Sequence, residues 1–139
     1  MIELQNKDLE PLALQIQSFG MKDGRLTPIF GLLHEEITLG MKRRLQKIRK
    51  AIVEHLTTLQ TDQTEIRDKF PVKLPAKGKQ LSTKDEQENA ENKKKQEAEM
   101  EILLNEVVKI DLEKVSLEML ENIKTEINYD FDLLEKIAE

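Results

Sequence analysis

Six cationic side chains within nine positions, Lys42, Arg43, Arg44, Lys47, Arg49 and Lys50, form the densest chemical feature of the chain. Guanidinium and ammonium groups at helical spacing suit a phosphate-bearing ligand, which they hold by charge-assisted hydrogen bonds. On a helix, Arg43, Lys47 and Lys50 stand opposite the apolar positions Met41, Leu45, Ile48 and Ile52, and Arg44 and Arg49 flank them. These five cations are the candidate residues for a small anionic, nucleotide-like ligand. The plainer account is a solvated face with cross-helix ion pairs, each worth about 0–1 kcal/mol. If an acidic helix folds back on this one, Glu99, Glu101 and Glu106 come near Arg44 and Arg49. A nucleic-acid partner fits less well, because the net charge is −5 and no aromatic residues interleave with the cations.

The histidines offer less. His34-Glu35-Glu36 is half of a zinc-protease helix, but the position for the second histidine is Thr38. His55 borders the apolar stripe and reads as a half-buried polar residue. The chain shows no nucleophile elbow, phosphate-binding glycine loop or dinucleotide fingerprint. It has no cysteine, which excludes disulfides and thiolate metal sites. The expectation is a non-enzymatic protein with no catalytic residue, metal or cofactor.

These residues must be positioned by one long element. Thr27-Pro28 is a helix start signal and Phe70-Pro71 a stop, with about forty proline-free residues between them. Phe30, Leu33, Ile37, Met41, Leu45, Ile48, Ile52, Leu56, Leu59, Ile66 and Phe70 recur at spacings of three, four or seven, one stripe on a helix roughly 60 Å long. Such a helix needs a partner helix or a second subunit to cover the stripe. Ile37, Met41, Leu45, Ile48, Ile52, Leu56, Leu59 and Ile66 are therefore the candidate self-association interface. Gly31 and Gly40 fall inside this helix and read as points of close helix packing.

Around it the chain reads as a single domain, residues 1–139, mainly α. Ile2 and Leu4 alternate with polar residues, as do Val108, Ile110 and Leu112, so a two-stranded ribbon is expected between residues 1–5 and 107–113. Asn6 or Asp8 caps a first helix carrying Leu9, Leu12, Ala13, Ile16 and Phe19, with Pro11 in its first turn and Asp23-Gly24 in the turn beyond it. Residues 71–82 hold Pro71, Pro75, Gly78 and three lysines and read as a flexible hairpin-tip loop. Thr83-Lys84-Asp85-Glu86 matches a capping box that opens the return helix. That helix is polar all round from Lys84 to Glu99, which predicts a hairpin firm at its base and frayed at its tip. Ser116 caps a short helix, and Asn128 or Asp130 a last one with Phe131, Leu134 and Ile137. Tyr129, Phe131, Phe19 and Phe30 read as core plugs, or as anchors if the hairpin base forms a subunit contact.

Charge is segregated: residues 41–80 carry net +7 and residues 81–139 net −9. Two arms of opposite sign folded together explain this, and an external anionic partner is the alternative. No run approaches the ~18 apolar residues of a membrane span. Met1 to Asp8 lacks the regions of a signal peptide. A soluble protein of the cytoplasm is expected.

The order of "KDLEPLA", the basic helix "EEITLGMKRRLQKIRKAIVEHL", a variable charged loop, and "LLNEVVKIDLEKVSLEMLEN" running to "LLEKIA" resembles a family of small helical proteins of tailed bacteriophages and prophages. The resemblance covers most of the chain outside the loop and brings no catalytic residues with it. It implies a phage origin and an accessory or assembly role, in the host cytoplasm or on the virion. The partners expected are a second copy of the chain or a phage or host protein.

Overall fold

The computed structural model describes residues Met1–Glu139. In chain order it contains β1 (Ile2–Gln5), α1 (Asn6–Ile16), β2 (Ser18–Lys22), β3 (Arg25–Phe30), a 3-10 turn at Leu32–His34, α2 (Leu39–Lys69), α3 (Thr83–Asn105), β4 (Val107–Ile110), α4 (Leu117–Glu121) and α5 (Phe131–Leu134). The architecture is mainly helical, with two long helices and two small antiparallel sheets.

The ribbon expected between the ends of the sequence is present. β1 pairs with β4 in the register Ile2↔Ile110, Leu4↔Val108. Two strands are marginal alone, and this pair is held because Ile2, Leu4 and Ile110 enter the common core. Asn6 extends the junction: its backbone N–H donates to the Glu106 carbonyl at 3.0 Å, and its side-chain amide donates to the buried Leu103 carbonyl at 2.8 Å. Asn6 thus gives a second donor to a carbonyl in the last turn of α3, which also accepts from the Glu106 N–H, and does not cap α1. The cap of α1 is Gln5, without a side-chain bond. Asp8 is buried and accepts from Lys136 at 2.7 Å, tying α1 to the C-terminal segment. Pro11 lies in the second turn of α1, on its exposed side, so the Lys7 carbonyl loses its helical donor.

The long helix begins later than the sequence suggests. Thr27-Pro28 opens no helix; both residues lie in β3, paired antiparallel to β2 through Met21↔Leu26 and Phe19↔Pro28. The Asp23-Gly24 turn signal prevails here. Asp23 (φ 53) and Gly24 (φ 74) both take left-handed conformations, the geometry that joins two twisted strands in a two-residue turn. Lys22 and Arg25 flank that turn, so Phe19↔Pro28 falls at a pair whose N–H groups face outward, where proline removes no ladder bond. Phe19 leaves the α1 stripe and joins β2. Gly31 is not helical either. It has φ 135, and a Cβ there would meet the Ile16 carbonyl oxygen at 2.6 Å and the Gln17 Cα at 2.8 Å, both backbone. The chain can press onto the end of α1 only as glycine.

Thr38 is the true cap of α2, its hydroxyl accepting from the Met41 N–H at 3.2 Å. α2 therefore has 31 residues and runs about 46 Å, ending at Phe70 where Pro71 stops it. Gly40 has open space around it and packs against no helix. Met41, Leu45, Ile48, Ile52 and Leu59 are buried, while Ile37, Leu56 and Ile66 are half-buried. The stripe finds its cover inside the chain, in one cluster with Leu9, Leu12 and Ile16 of α1, the ribbon, and Val115, Leu120, Leu134 and Ile137 of the closing segments.

α3 returns antiparallel to α2 and contributes Leu103, with Met100 and Leu104 beside it, to the core. Its cap is Ser82 rather than Thr83, the hydroxyl accepting from the Asp85 N–H at 3.1 Å. The polar turns of α3 have a task. Asn89, Asn92 and Gln96 donate to the main-chain carbonyls of Lys73, Pro71 and Phe70, and Asn89 also accepts from the Lys73 N–H at 2.7 Å. The first residues of the 71–82 loop are thus strapped to α3. Ser116 caps α4 and Asp130 caps α5. Val115 pairs with Ala138 in a parallel bridge that holds the last residues in place. No helix is long and apolar enough to cross a membrane.

Candidate interaction surfaces

The basic residues of α2 do not act as one set. Arg43, Arg44, Lys47 and Lys50 are exposed. Lys47 and Lys50 line a groove of about 370 Å³ against β4, together with His55, Lys109, Glu54 and Asp111. An adjoining groove of about 400 Å³ adds Arg44 and Glu113. Carboxylates therefore stand among the cations: Arg44 lies 3.8 Å from Glu113, and Lys109 lies 3.9 Å from Glu3. Lys47 and Lys50 have no ion-pair partner within the chain.

Arg49 points the other way. Its Nε and Nη2 donate to the Ala13 and Gln17 carbonyls, each at 3.3 Å, and its guanidinium stacks 5.1 Å above the Phe19 ring. It closes the C-terminal end of α1, where free carbonyls and the helix dipole favour a cation. Partial burial lowers its pKa from the usual arginine value. Arg49 is a clamp between α1, α2 and β2. The expected approach of Arg44 and Arg49 to Glu99, Glu101 and Glu106 does not occur: Glu99 pairs with Lys69 at 3.1 Å, and Arg44 turns to Glu113. The physical reason is length. α3 meets the later turns of α2, while the earlier turns face α1 and the ribbon.

His34 lies at the root of β2, its Nε2 3.5 Å from the Gln17 side-chain nitrogen. Glu35 accepts from the Tyr129 hydroxyl at 2.8 Å and the Thr125 hydroxyl at 2.7 Å, joining the approach to α2 to the closing segment. Burial, followed by the Glu35 carboxylate, pushes the Tyr129 phenol above its usual range. Phe131 is exposed in part and Tyr129 packs beside the core.

The surface that departs most from a solvated exterior is the β2–β3 hairpin. Met21 and Leu26 are each 69% exposed, Ile29 55%, Phe30 46% and Phe19 40%. Strand alternation and the register place Phe19, Met21, Leu26 and Pro28 on one face, whereas a bulge sets Phe30 opposite Ser18, on the other. Scattered exposed leucines need no explanation, but a contiguous apolar face marks a contact surface. The sequence signal was Asp-Gly flanked by alternating apolar residues; the helix assigned across Thr27–Phe70 hid it. No protein-family model, curated protein or solved structure matches the chain.

Proposed function

We propose that the chain is a non-enzymatic interaction and assembly protein, phage-encoded as its resemblance implies, which docks through the apolar face of its β2–β3 hairpin. The observation that carries this reading is the exposure of Met21, Leu26 and Pro28 on one face of a two-stranded sheet, beside a Phe19 ring that only Arg49 covers. A hairpin of that size is marginal in water until something packs on it. The stripe of Ile37, Met41, Leu45, Ile48, Ile52, Leu56, Leu59 and Ile66 serves the fold, so the docking role passes from α2 to the hairpin. The test is site-specific photo-cross-linking from position 26, with exposed Glu91 on α3 as the control position. Adducts formed from position 26 alone support the reading. No adduct, or the same adducts from both positions, overturns it.

A second reading, capture of a small anionic ligand, is favoured by one observation: Lys47 and Lys50 lie unpaired in the groove beside Lys109 and His55. Replacing Arg43, Lys47 and Lys50 by Glu abolishes such binding and leaves docking through the hairpin intact. Native mass spectrometry of gently purified protein reports any retained ligand. Bare protein in that spectrum counts against this second reading.

A further inference from the structure

We infer that the first turns of α2 bind double-stranded nucleic acid through its phosphates. The site lies apart from the hairpin face, and it is the crest of α2, whereas a small ligand would lie in the groove beside it.

The fold leaves a block of charge uncompensated. Residues 37–53 contain six cations and no carboxylate, net +6, so with the whole chain at −5 the remaining residues carry −11. The negative charge of the chain is an average over two unlike regions and does not describe the surface of α2. An acidic arm folded back along the whole helix would neutralise these cations, but α3 meets only the later turns, where Lys69 takes Glu99. Of the six, Arg49 turns inward to the α1 carbonyls and Arg44 reaches Glu113. Lys42, Arg43, Lys47 and Lys50 have no ion-pair partner within the chain. Like charges at this spacing repel one another, and a polyanion relieves that repulsion.

Their arrangement selects the polyanion. At 100° per residue, Arg43 and Lys50 share the crest opposite the buried Met41, Leu45, Ile48 and Ile52. Lys42 and Lys47 lie on the two flanks, about 140° apart. A groove borders the crest on each side: one of about 370 Å³ toward β4, lined by Lys47 and Lys50, and one of about 390 Å³ toward the end of α1, lined by Gln46, Lys50 and Gln17. α2 thus stands as a ridge between two furrows. The major groove of a duplex, about 12 Å wide, admits an α-helix, and its two strands then pass over the two flanks, one to Lys42 and the other to Lys47. A flat anionic bilayer meets the crest alone. A duplex carries one charge per ~1.7 Å of axis, so the roughly 12 Å from Lys42 to Lys50 faces about seven phosphates. Single strands are held on aromatic stacking platforms, and the exposed aromatics Phe19, Phe30 and Phe131 lie in the hairpin and α5, not on this ridge. Glu54, one turn past Lys50, and Asp111, on the β4 side of the furrow, confine the footprint to the first three turns. The contacts are to phosphates, so no sequence preference is expected.

The experiment is fluorescence anisotropy of a labelled ~20-base-pair DNA duplex of mixed sequence titrated with the full chain, repeated over a salt series. Four phosphate contacts give a slope of log K against log salt of about −3.6, a loss of roughly a hundredfold between about 50 and 200 mM. Arg43→Ala, Lys47→Ala and Lys50→Ala should each make that slope shallower by about 0.9. Lys69→Ala, which removes a cation already paired with Glu99, should leave it unchanged. Circular dichroism checks that helicity is the same in every variant. No duplex binding at the lowest salt overturns the inference, as does a slope indifferent to the three crest and flank changes. A single strand of the same length bound as tightly as the duplex, or phosphatidylserine vesicles bound in its place, also overturns it. Retention of a mononucleotide with no duplex binding overturns it and leaves the small-ligand reading standing.

Discussion

Tyr129 is the only tyrosine and the chain has no tryptophan, so its phenolate band in the near ultraviolet reports one site without interference. Its hydroxyl donates to Glu35 at 2.8 Å, and Thr125 donates to the same carboxylate oxygen at 2.7 Å. Burial of the ring, then the hydrogen bond and charge of Glu35, raise the phenol above its ordinary value of 10.0. The folded state thus holds the neutral phenol more firmly than the unfolded chain does. That contribution to stability is complete below the unfolded value and is lost as pH rises toward the folded one. A hydrogen bond to a charged group contributes roughly 1.5–3 kcal/mol when sequestered. Here both partners are only half-buried, which reduces it to about 1 kcal/mol. Glu35→Gln removes the charge and keeps the shape. The midpoint of phenolate appearance should then fall by somewhat less than one pH unit, at about 1.4 kcal/mol per unit. It should stay above 10.0, because burial, the larger cause, remains. The assay is a spectrophotometric titration of wild type and Glu35→Gln, with helicity followed alongside. In the wild type, phenolate should appear only well above 10.0, or together with loss of helix. A wild-type midpoint at the ordinary value with helices intact would refute the reasoning, as would an identical midpoint in Glu35→Gln.

Other perturbations test the supports of the two surfaces. Gly31→Ala brings a Cβ against the Ile16 and Gln17 backbone at a φ of 135, and should cost about 2–3 kcal/mol in urea unfolding; an unchanged midpoint would contradict the crossing. Asn89→Leu strips both main-chain bonds from Lys73, about 1–2 kcal/mol, and should appear as faster amide exchange at Lys73 with little change in α1 or the ribbon. Arg49→Ala removes two carbonyl contacts and the stacking on Phe19; the expected loss is about 1–2 kcal/mol, with exchange rising first in Phe19 and its neighbours. The hydrogen bond from Lys73 holds the Asp85 carboxyl below its usual range. Its contribution is therefore present above the ordinary aspartate value and disappears as pH falls through the lowered one, so the Lys73 strap should loosen only in acid. Loosening that begins above the aspartate range would refute that assignment.

How far the sequence revealed this protein depended on whether a signal was local. Period-two alternation at Ile2/Leu4 and Val108/Ile110, with no other strand candidates, was enough to pair the two ends of the chain. The α2 stripe and the Pro71 stop gave that helix its face and its end, and Ser116 and Asp130 cap as their positions suggest. The start of α2 at Leu39 is not legible because Thr27-Pro28 carries two meanings. The same dipeptide opens a helix or tolerates an edge strand, and only the Asp23-Gly24 turn decides between them. That ambiguity conceals the hairpin face, which is the more informative surface. Arg49 looked like its cationic neighbours because spacing says nothing of the α1 carbonyls it meets. Asn6, Asn89, Asn92 and Gln96 looked like solvated polar residues. Their partners are main-chain atoms distant in sequence, which no pattern encodes.

The central claim is that the β2–β3 hairpin is a contact face, and hydrogen–deuterium exchange of the full chain, free and bound to the protein that cross-links from position 26, tests it most directly. Protection of residues 18–30 should rise in the complex, while α2 and the β1–β4 ribbon keep the same exchange rates. Unchanged exchange in the hairpin on binding, or protection that rises instead along α2, would contradict the account.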